Sequence, residues 1–329
     1  MTTTRTIIKI LALITLSFTF VSNAAAEQEV KGAILVTGAS TGLGQKMTEV
    51  LSSNGFHVFA TARNKTDLDR LDAMNNVQAI ELDVRDQQQI NDAVKFVKDS
   101  GMGLYGLVNN AGVAVFGPMI EIPVEQLEYQ LDINVLGPYR VLQAFAPMII
   151  ESKGRITTTG SIAGTIASPI YGQYAMSKHA IEAFTDSLAA EMQRFDVKVS
   201  VIAPGSFASQ IGNTAKKRIE NSSYWSEETL YPDERKGTLI GLSKVTEGAD
   251  PLPVAEAVLD FMQSDNPKKR YMVVPNERQA QATLRNHMKR LLEQNQSQNF
   301  SYNAEQLQDI FNEEIEKLSN NPAKKLEDE

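Results

Sequence analysis

Short apolar runs alternate with longer amphipathic runs along most of this chain of 329 residues. The apolar run AILVT is followed by the amphipathic run GLGQKMTEVLSS, and the apolar runs HVFATA and VQAIELDV come next, separated by a polar helical stretch. Apolar strands without polar alternation are buried on both faces, and strands that alternate with helices form parallel sheets that those helices cover. The sequence therefore predicts an α/β fold with a doubly wound parallel sheet.

The same alternation sets the predicted domain limits. It extends to the apolar run RYMVVP, so we assign residues 27–275 to one α/β domain. Within it, residues 206–250 lose the periodicity and carry Phe207, Trp225 and Tyr231 among polar residues. Long irregular insertions in compact domains are usually functional, so we interpret 206–250 as a lid over the substrate. The alternative, that these aromatic side chains only anchor the segment to the core, stays open.

Two further helices are predicted in a C-terminal helical extension over residues 276–329. They cover residues 277–294 and 304–318, and Asn303 with Gln306 forms a capping-box variant at the start of the second. The extension could cover the substrate pocket or contact another subunit. A homo-oligomer is therefore one of the arrangements that the sequence allows.

The N-terminal segment differs in composition from the rest of the chain. Arg5 and Lys9 precede the apolar run ILALITLSFTFV, and small residues follow at Ala24 and Ala26. The run is shorter than the roughly 20 residues that a transmembrane helix needs. The charged start, apolar middle and small residues are typical of a secretory signal with its cleavage site. We favour a signal peptide over residues 1–26, with a membrane anchor or an extension from a misplaced start codon as alternatives.

The composition excludes several classes of site and partner. The formal net charge is −8 and the basic residues form no cluster, which argues against nucleic-acid binding. The chain has no cysteine, and His57, His179 and His287 are widely spaced. We therefore predict no disulfide and no metal site.

A glycine-rich turn follows the first predicted strand. The segment TGASTGLG spans residues 37–44 and leads directly into a helix. In such a turn the backbone N–H groups and the positive end of the helix dipole face a pyrophosphate, although an ordinary strand-to-helix turn is the alternative. Gly38 would permit the tight turn, Gly42 the approach of the phosphates, and Gly44 the close packing of helix on strand. The residues assigned to a cofactor here are Thr37, Gly38, Ser40, Gly42, Leu43 and Gly44.

Side chains at the ends of the next strands could bind the rest of a dinucleotide. Arg63 follows the second strand, where the adenosine ribose is normally bound, and its guanidinium suits a 2′-phosphate. This favours NADP over NAD, against the alternative of a merely exposed arginine. Asp83 ends the third strand, where its carboxylate could accept a hydrogen bond from adenine or cap the following helix. Asn110 and Gly112 lie in NNAG after the fourth strand, where small residues leave room for the cofactor.

A tyrosine and a lysine one helical turn apart form the candidate proton-transfer site. Tyr174 and Lys178 in YAMSK are four residues apart and share a helix face, whereas Tyr171 has an alanine at that spacing. A phenol titrates at about 10, so it needs a neighbouring cation to favour its phenolate at neutral pH. Ser161, at the end of the strand RITTTG, adds a hydroxyl that could polarise a substrate carbonyl.

Together these motifs resemble the short-chain dehydrogenase/reductase family, in the branch with the pattern Thr-Gly-x-x-x-Gly-x-Gly. The shared features, in order, are TGASTGLG, NNAG, Asn134 in LDINVLGP, Ser161 in TGSIAG, YAMSK, and the PG at residues 204 and 205. They extend over about residues 33–275, and their order and spacing make the resemblance specific. It implies a Rossmann-fold oxidoreductase that transfers a hydride between NADP(H) and a carbonyl compound or secondary alcohol.

The resemblance also implies a role for each site residue. Tyr174 would be the general acid/base, Lys178 would lower its pKa and hold the nicotinamide ribose, and Ser161 would orient the carbonyl or alcohol. Asn134 would hold a water that links Lys178 to solvent; alternatively, it satisfies backbone groups within a helix. The remaining cofactor contacts implied are Tyr174, Lys178, Pro204, Gly205 and Ser209, the last standing where the family usually has a threonine.

The sequence leaves alternatives open for the function, the substrate and the cellular location of the protein. A non-catalytic NAD(P)-binding sensor or scaffold is the competing function, although nucleotide binding alone does not require all four of these side chains. The predicted substrate is a small carbonyl compound or alcohol, and LDINVLGPYRVLQAFAPMI is similar to family members that act on lipophilic ones. The segment 1–26 indicates export or membrane attachment, with membrane association through that segment, whereas the need for a nicotinamide cofactor indicates the cytoplasm.

Overall fold

Seven parallel strands form one sheet in the computed structural model, which describes residues 31–222 and 224–319. The strands are β1 (Ala33–Val36), β2 (His57–Ala62), β3 (Val77–Glu81), β4 (Gly106–Asn109), β5 (Arg155–Thr159), β6 (Lys198–Pro204) and β7 (Arg270–Val273). Their order across the sheet is β3-β2-β1-β4-β5-β6-β7. Strand β1 lies inside the sheet, and the later strands extend the sheet from it in both directions. This order confirms the predicted doubly wound parallel fold.

Helices cover both faces of this sheet. The α-helices of the described part of the chain are α1 (Gly42–Ser53), α2 (Lys65–Asp72), α3 (Gln87–Asp99), α4 (Val124–Leu131), α5 (Gly137–Glu151), α6 (Gly172–Met192), α7 (Ile211–Ser222), α8 (Pro232–Ser243), α9 (Leu252–Gln263), α10 (Glu277–Gln296) and α11 (Ala304–Ser319). Helices α3, α5 and α6 enclose an apolar core on one face, and α1 and α9 enclose a second core on the other. Because both faces are covered, the apolar β1 is buried along its whole length, and so is β2, including its polar His57 and Thr61.

The segment 206–250 contains α7 and α8, although its sequence shows no clear helical periodicity. The two helices lie over a third apolar cluster that includes Phe116 and Trp225, the latter only 1% exposed. Phe207 lies instead in the core between the sheet, α1 and α9. The buried aromatic side chains therefore anchor the segment, and its action as a lid stays a proposal.

The C-terminal extension contains the two helices that the sequence predicts, each slightly longer than expected. At the start of α10 the side chain of Asn276 accepts a hydrogen bond of 3.1 Å from the backbone N–H of Gln279. At the start of α11, Asn303 and Gln306 exchange hydrogen bonds of 2.9 and 3.0 Å between side chains and backbone. This exchange confirms the predicted capping box.

The segment 1–26 lies outside the described residues, so its interpretation as a signal peptide or anchor stays a prediction. Within residues 31–222 and 224–319, no helix combines the length and apolarity needed to cross a membrane. Over the same ranges, no group of three or more His, Cys, Asp or Glu side chains is placed to hold a metal ion.

Candidate active site

The predicted site residues converge on the carboxyl edge of the sheet. Thr37 follows β1, Asn110 follows β4, Ser161 follows β5, and Pro204 is the last residue of β6. Between β1 and β4 the order of the strands reverses. Open α/β sheets bind their ligands in the crevice at such a switch point.

Three glycines shape the turn between β1 and α1. Gly38 and Gly42 have φ angles of +65° and +57°, in the left-handed region that favours glycine. A Cβ atom at Gly38 would lie 2.9 Å from the Cα of Ala111, and one at Gly44 would lie 2.2 Å from the carbonyl oxygen of Gly38. A Cβ atom at Gly42 would lie 3.1 Å from the Cβ of Ser209, across the crevice. Side chains at these positions would fill the turn, so its backbone forms the wall of the crevice.

The N-terminus of α1 is open toward this turn. Its N-cap residue, Thr41, makes no side-chain hydrogen bond to the first helical turn. The N–H groups of that turn and the helix dipole therefore remain available to an anion, which fits the pyrophosphate of a dinucleotide. Leu43 packs on the core and holds α1 in place. Arg70 on α2 donates a hydrogen bond to the carbonyl oxygen of Ser40, on the other side of the turn.

The side chains of Thr37 and Asn110 tie the turn to β4. The Thr37 hydroxyl accepts hydrogen bonds of 2.9 and 3.0 Å from the backbone N–H groups of Asn110 and Ala111. The Asn110 Nδ2 donates to the carbonyl oxygens of Thr37 and Gly38, both at 3.1 Å. The Asn110 Oδ1 accepts from the Thr159 hydroxyl at 3.2 Å. These side chains hold the shape of the turn, and any contact of theirs with a cofactor stays a proposal.

Two arginines flank Asp83 at the predicted adenosine end of the crevice. Asp83 accepts hydrogen bonds from Nε and Nη2 of Arg85 at 3.1 and 2.7 Å, while Nη1 of Arg63 is 3.8 Å away. Hydrogen bonding to Arg85 lowers the pKa of Asp83 below its ordinary value, against the opposing effect of burial. The side chain of Arg63 is 62% exposed. A guanidinium therefore lies at the predicted ribose position, 3.8 Å from the Asp83 carboxylate that Arg85 already holds.

Tyr174, Lys178 and Ser161 lie together beside the ends of β5 and β6. The buried Nζ of Lys178 donates to the carbonyl oxygen of Thr159 at 2.8 Å and lies 5.7 Å from the centre of the Tyr174 ring. The Ser161 side chain lies close enough to the Tyr174 phenol to favour its phenolate form. The Ser161 hydroxyl is also 3.4 Å from the carbonyl oxygen of Pro204. The structure thus brings together the three groups that the sequence predicts for proton transfer.

Burial shifts the pKa values of the two titrating groups in opposite directions. It raises the pKa of the Tyr174 phenol above its ordinary value, and the Ser161 side chain partly opposes this shift. Burial lowers the pKa of Lys178 to about 8. At neutral pH the protein alone therefore holds a neutral phenol, which can donate a proton, beside an ammonium group.

Asn134 lies in a π-helical segment, Asp132–Leu136, between α4 and α5. Its Oδ1 accepts from the Val113 N–H at 2.8 Å, and its Nδ2 donates to the Val113 carbonyl oxygen at 2.9 Å. The same Nδ2 donates to the Ser177 hydroxyl at 3.1 Å. Asn134 therefore satisfies backbone groups, as one interpretation of the sequence expects, and joins the loop after β4 to α6. A Cβ at Gly112 would lie 3.5 Å from its Oδ1, so this glycine lies against the same side chain.

The sequence alone does not single out two buried polar side chains beside Asn134. Gln130 is 0% exposed; its Oε1 accepts from the Val115 N–H and its Nε2 is 3.4 Å from the Ser177 hydroxyl. Ser177 in turn donates to the Tyr174 carbonyl oxygen at 2.8 Å. The available signal is the four-residue spacing between Gln130 and Asn134, which places them on one helix face.

Aromatic rings lie on the predicted substrate side of Tyr174. The Phe116 ring centre is 4.5 Å from that of Tyr171 and 6.0 Å from that of Tyr174. Trp225 belongs to the same apolar cluster as Phe116. A molecule that approaches the Tyr174 hydroxyl along these rings meets an apolar surface.

Helix α10 reaches the end of β6 at the rim of the crevice. The Gln279 Oε1 accepts from the Ser206 N–H at 2.9 Å, and a Cβ at Gly205 would lie 2.2 Å from that oxygen. Arg290 donates to the carbonyl oxygen of Thr165, in the loop after β5, at 3.3 Å. The C-terminal extension therefore contacts both segments that border the crevice. The sequence gives no sign of these contacts because the partners are 73 and 125 residues apart.

Comparison with known proteins identifies sequence relatives. A family model described as short chain dehydrogenase matches residues 32–220, a range that contains every predicted site residue. The chain is 34% identical over 249 residues to the 3-amino-tetrahydro-pyrrolizinone reductase of Xenorhabdus hominickii, a match covering 73% of this chain and 86% of that protein. It is 32% identical over 262 residues to the mitochondrial D-beta-hydroxybutyrate dehydrogenase of Bos taurus, covering 73% and 76% of the two chains.

Solved structures share the fold. A short-chain dehydrogenase from Streptomyces avermitilis superimposes with a TM-score of 0.68 at 25% identity, covering 82% of this chain and 96% of that chain. A short-chain dehydrogenase/reductase from Burkholderia phymatum in complex with NAD gives a TM-score of 0.70 at 21% identity, covering 81% and 96%. An actinorhodin polyketide ketoreductase with NADPH gives a TM-score of 0.61 at 24% identity, covering 74% of this chain and 95% of that chain.

Proposed function

Because the chain belongs to the short-chain dehydrogenase/reductase family, and so is an NAD(P)-dependent oxidoreductase acting on alcohols or carbonyl groups, we propose residue roles, a coenzyme and a substrate class. We propose that it transfers a hydride between NADP(H) and a lipophilic carbonyl compound or secondary alcohol. Tyr174 is the general acid/base, Ser161 orients the reacting oxygen, and the ammonium of Lys178 stabilises the phenolate form of Tyr174. The observation that carries the proposal is the meeting of these three side chains at the carboxyl edge of the sheet.

In the reduction direction, the residues of this site act on the oxygen of the substrate. The nicotinamide, when bound, supplies the hydride that adds to the carbonyl carbon. As negative charge develops on the carbonyl oxygen, the Ser161 hydroxyl donates a hydrogen bond to it and the Tyr174 hydroxyl donates its proton. The products are an alcohol and a Tyr174 phenolate, which regains a proton before the next turnover. The ammonium of Lys178 stabilises that phenolate, whose ring centre is 5.7 Å away.

In the oxidation direction, Tyr174 must accept the proton of the alcohol. Burial raises the pKa of this phenol, so the protein without cofactor favours the neutral, proton-donating form. A positive charge near the ring favours the phenolate over the neutral phenol, and the buried ammonium of Lys178 provides one. Oxidation is therefore expected to have the higher pH optimum of the two directions.

The choice of coenzyme rests on Arg63. The two-point contact with Arg85 already compensates the charge of Asp83, so the exposed Arg63 guanidinium can bind a 2′-phosphate. We expect Arg63→Gln to raise the KM for NADPH by about tenfold, the scale of one charged hydrogen bond, and to leave the KM for NADH nearly unchanged. Arg194→Gln, an exposed arginine just after α6, is the matched control. Equal effects on both coenzymes, or a wild-type preference for NADH, would assign Arg63 to another role.

The proposed substrate class rests on the aromatic surface beside Tyr174. Tyr171, 40% exposed, offers apolar contact on that side, with Phe116 and the buried Trp225 in the apolar cluster behind it, and α7 and α8 lie over this cluster. We propose that residues 206–250 act as the lid of this pocket. A matched series of ketones with lengthening alkyl chains should show kcat/KM rising with chain length, because each buried methylene contributes about 0.8 kcal/mol.

One assay tests the proposed activity as a whole. Purified protein is mixed with NADPH and a panel of aldehydes and ketones, and the absorbance of the reduced coenzyme is followed. Loss of that absorbance with formation of the matching alcohol is expected. Saturable coenzyme binding without turnover of any carbonyl or alcohol in either direction would instead favour a sensor or scaffold.

A further inference from the structure

Helix α10 turns an apolar face away from the body of the protein. It packs on the body through Gln279 and the buried Thr283, and its apolar residues lie on the opposite side. This α10 face consists of Leu284, Met288, Leu291 and Leu292, which are between 47% and 54% exposed. The residues are spaced as i, i+4, i+7 and i+8, the pattern of a helix side that is covered by another element.

Helix α11 carries a second apolar face. This α11 face consists of Ile310, Phe311, Ile315 and Leu318, which are between 40% and 73% exposed. Within residues 304–319, every position except Leu307 is exposed. A helix of this length is marginal in water by itself, because most helical stability in proteins comes from packing an amphipathic face. The two helices therefore present two uncovered apolar faces within the described residues.

The charges of the two helices are opposite. Helix α10 contains four Arg or Lys residues and two Glu residues, whereas α11 contains five Asp or Glu residues and one Lys. Arg285 lies three residues before Met288 and Lys289 lies three residues before Leu292, so both border the α10 face. Glu314, which also accepts from Lys317 at 2.5 Å, lies four residues from both Ile310 and Leu318 in the α11 face.

We propose that two copies of this chain associate through their C-terminal extensions, with the α10 face of each copy packed on the α11 face of the other. The single chain leaves both faces exposed at once, so they are not packed on each other within it. A twofold arrangement covers the α10 face and the α11 face of both copies, so the assembly is complete with two copies. The opposite charges steer α10 onto α11, rather than onto the α10 of the other copy. The five carboxylates of α11 oppose the alternative of docking on an anionic lipid surface.

This association bears on the crevice without depending on the proposed reaction. On its inner side α10 contacts Ser206 through Gln279 and Thr165 through Arg290. Fixing α10 between two copies therefore also fixes the rim of the crevice on both sides. The inference goes beyond the proposed function, and the mass of the assembly tests it separately from any activity.

The decisive experiment uses two complementary charge reversals in the full chain. One variant carries Arg285→Glu with Lys289→Glu on α10, and the other carries Glu313→Lys with Glu314→Lys on α11. In sedimentation velocity we expect each variant alone to have half the mass of the wild-type assembly. An equimolar mixture should regain the wild-type mass, because each face then meets a face of opposite charge on the other copy. Recovery in the mixture distinguishes pairing between chains from pairing within one chain.

A pair of methionine substitutions guards against variants that fail to fold. Met288→Ser removes a member of the α10 face, whereas Met102→Ser removes a methionine of nearly equal exposure elsewhere, 52% against 49%. Met288→Ser should raise the dissociation constant of the assembly at least tenfold, and Met102→Ser should leave it unchanged. A wild-type chain that sediments as a monomer would overturn the proposal. So would variants that keep the full mass, a mixture that does not recover, or a monomer that co-sediments with phosphatidylcholine and phosphatidylglycerol vesicles through α10.

Discussion

At the scale of single residues, two tyrosines at the start of α6 have different surroundings. Tyr174 has the buried Nζ of Lys178 at 5.7 Å from its ring centre and the Ser161 side chain beside its phenol. Tyr171 is 40% exposed and packs on Phe116. The sequence distinguishes them because a lysine four residues away is a local property of a helix. It does not predict that the Thr159 carbonyl oxygen holds that lysine, because this contact comes from the packing of α6 on β5.

The first prediction concerns the proton donor. Tyr174→Phe should lower kcat by at least about a hundredfold, the scale of general acid/base catalysis, because the alkoxide then lacks its proton source. Coenzyme affinity, measured by quenching or transfer of fluorescence on titration with NADPH, should stay within a few-fold of wild type. Tyr171→Phe is the matched control and should keep most of the activity. A Tyr174→Phe enzyme with near wild-type kcat would remove this residue from the mechanism.

The second prediction concerns the stability of the protein without coenzyme. Burial lowers the pKa of Lys178 to about 8, below its value in the unfolded chain. The unfolded state therefore binds more protons between these two pKa values, and the contribution of this group to stability rises as the pH rises through that window. Lys178→Met removes the effect, so its free energy of unfolding relative to wild type should fall by about 2 kcal/mol between pH 7 and pH 9.5.

Urea unfolding of both proteins at the two pH values measures this difference. The comparison with wild type cancels the titration of all other groups that the substitution does not disturb. Lys98→Met, which removes an exposed lysine on α3, should show no comparable dependence on pH. An equal dependence in both variants would mean that the ammonium of Lys178 is not destabilised by burial.

At the scale of secondary-structure elements, the turn between β1 and α1 is tightly packed. Gly44→Ala would place a Cβ 2.2 Å from the Gly38 carbonyl oxygen and 2.4 Å from the Asn110 Nδ2. The turn must shift, so we expect a loss of about 1–3 kcal/mol in stability and at least tenfold weaker coenzyme binding. Thermal unfolding and NADPH titration measure the two effects.

A glycine inside another helix provides the control for this substitution. At Gly241 on α8, no atom lies within 4 Å of the position that a Cβ would take. Gly241→Ala should therefore stabilise the protein by about 0.5–1 kcal/mol through helix propensity and leave coenzyme binding unchanged. Similar losses in both variants would show that the tight packing of the β1–α1 turn is not the cause.

The elements that the sequence predicts are those with a strong local signal. Strand β1 is uniformly apolar, the β1–α1 turn is rich in glycine, and α11 begins with a capping box. Helices α7 and α8 are not predicted because their residues are mostly polar and few of them reach the third apolar cluster. Gln130 is missed for a related reason, since its partners Val115 and Ser177 belong to other elements. Local patterns identify the scaffold and the motifs, whereas contacts between distant segments complete the site.

At the scale of the whole molecule, the described residues form two apolar cores against the sheet and a third, smaller one under α7 and α8. Trp225, the single tryptophan, is buried in the third, where its Nε1 donates to the Thr229 hydroxyl at 3.0 Å. We expect this cluster to open before the sheet unfolds, because local stability follows the amount of buried apolar contact. In urea, the tryptophan emission should shift to the red at a midpoint lower by about 0.5 M than the loss of far-UV ellipticity. Coincident transitions would instead make α7 and α8 part of one cooperative unit with the sheet.

The segments that border the crevice beside β1 are translated at different times, although the sheet brings them together. By the time the ribosome has added Asn110, just after β4, every residue of the β1–α1 turn and of its ties to Asn110 has been translated. Tyr174 and Lys178 follow only with α6, and the rim contacts of Gln279 and Arg290 come later still. The residues of the β1–α1 turn are therefore synthesised well before Tyr174 and Lys178. The α10 residues that border the rim of the crevice are synthesised last of these three groups.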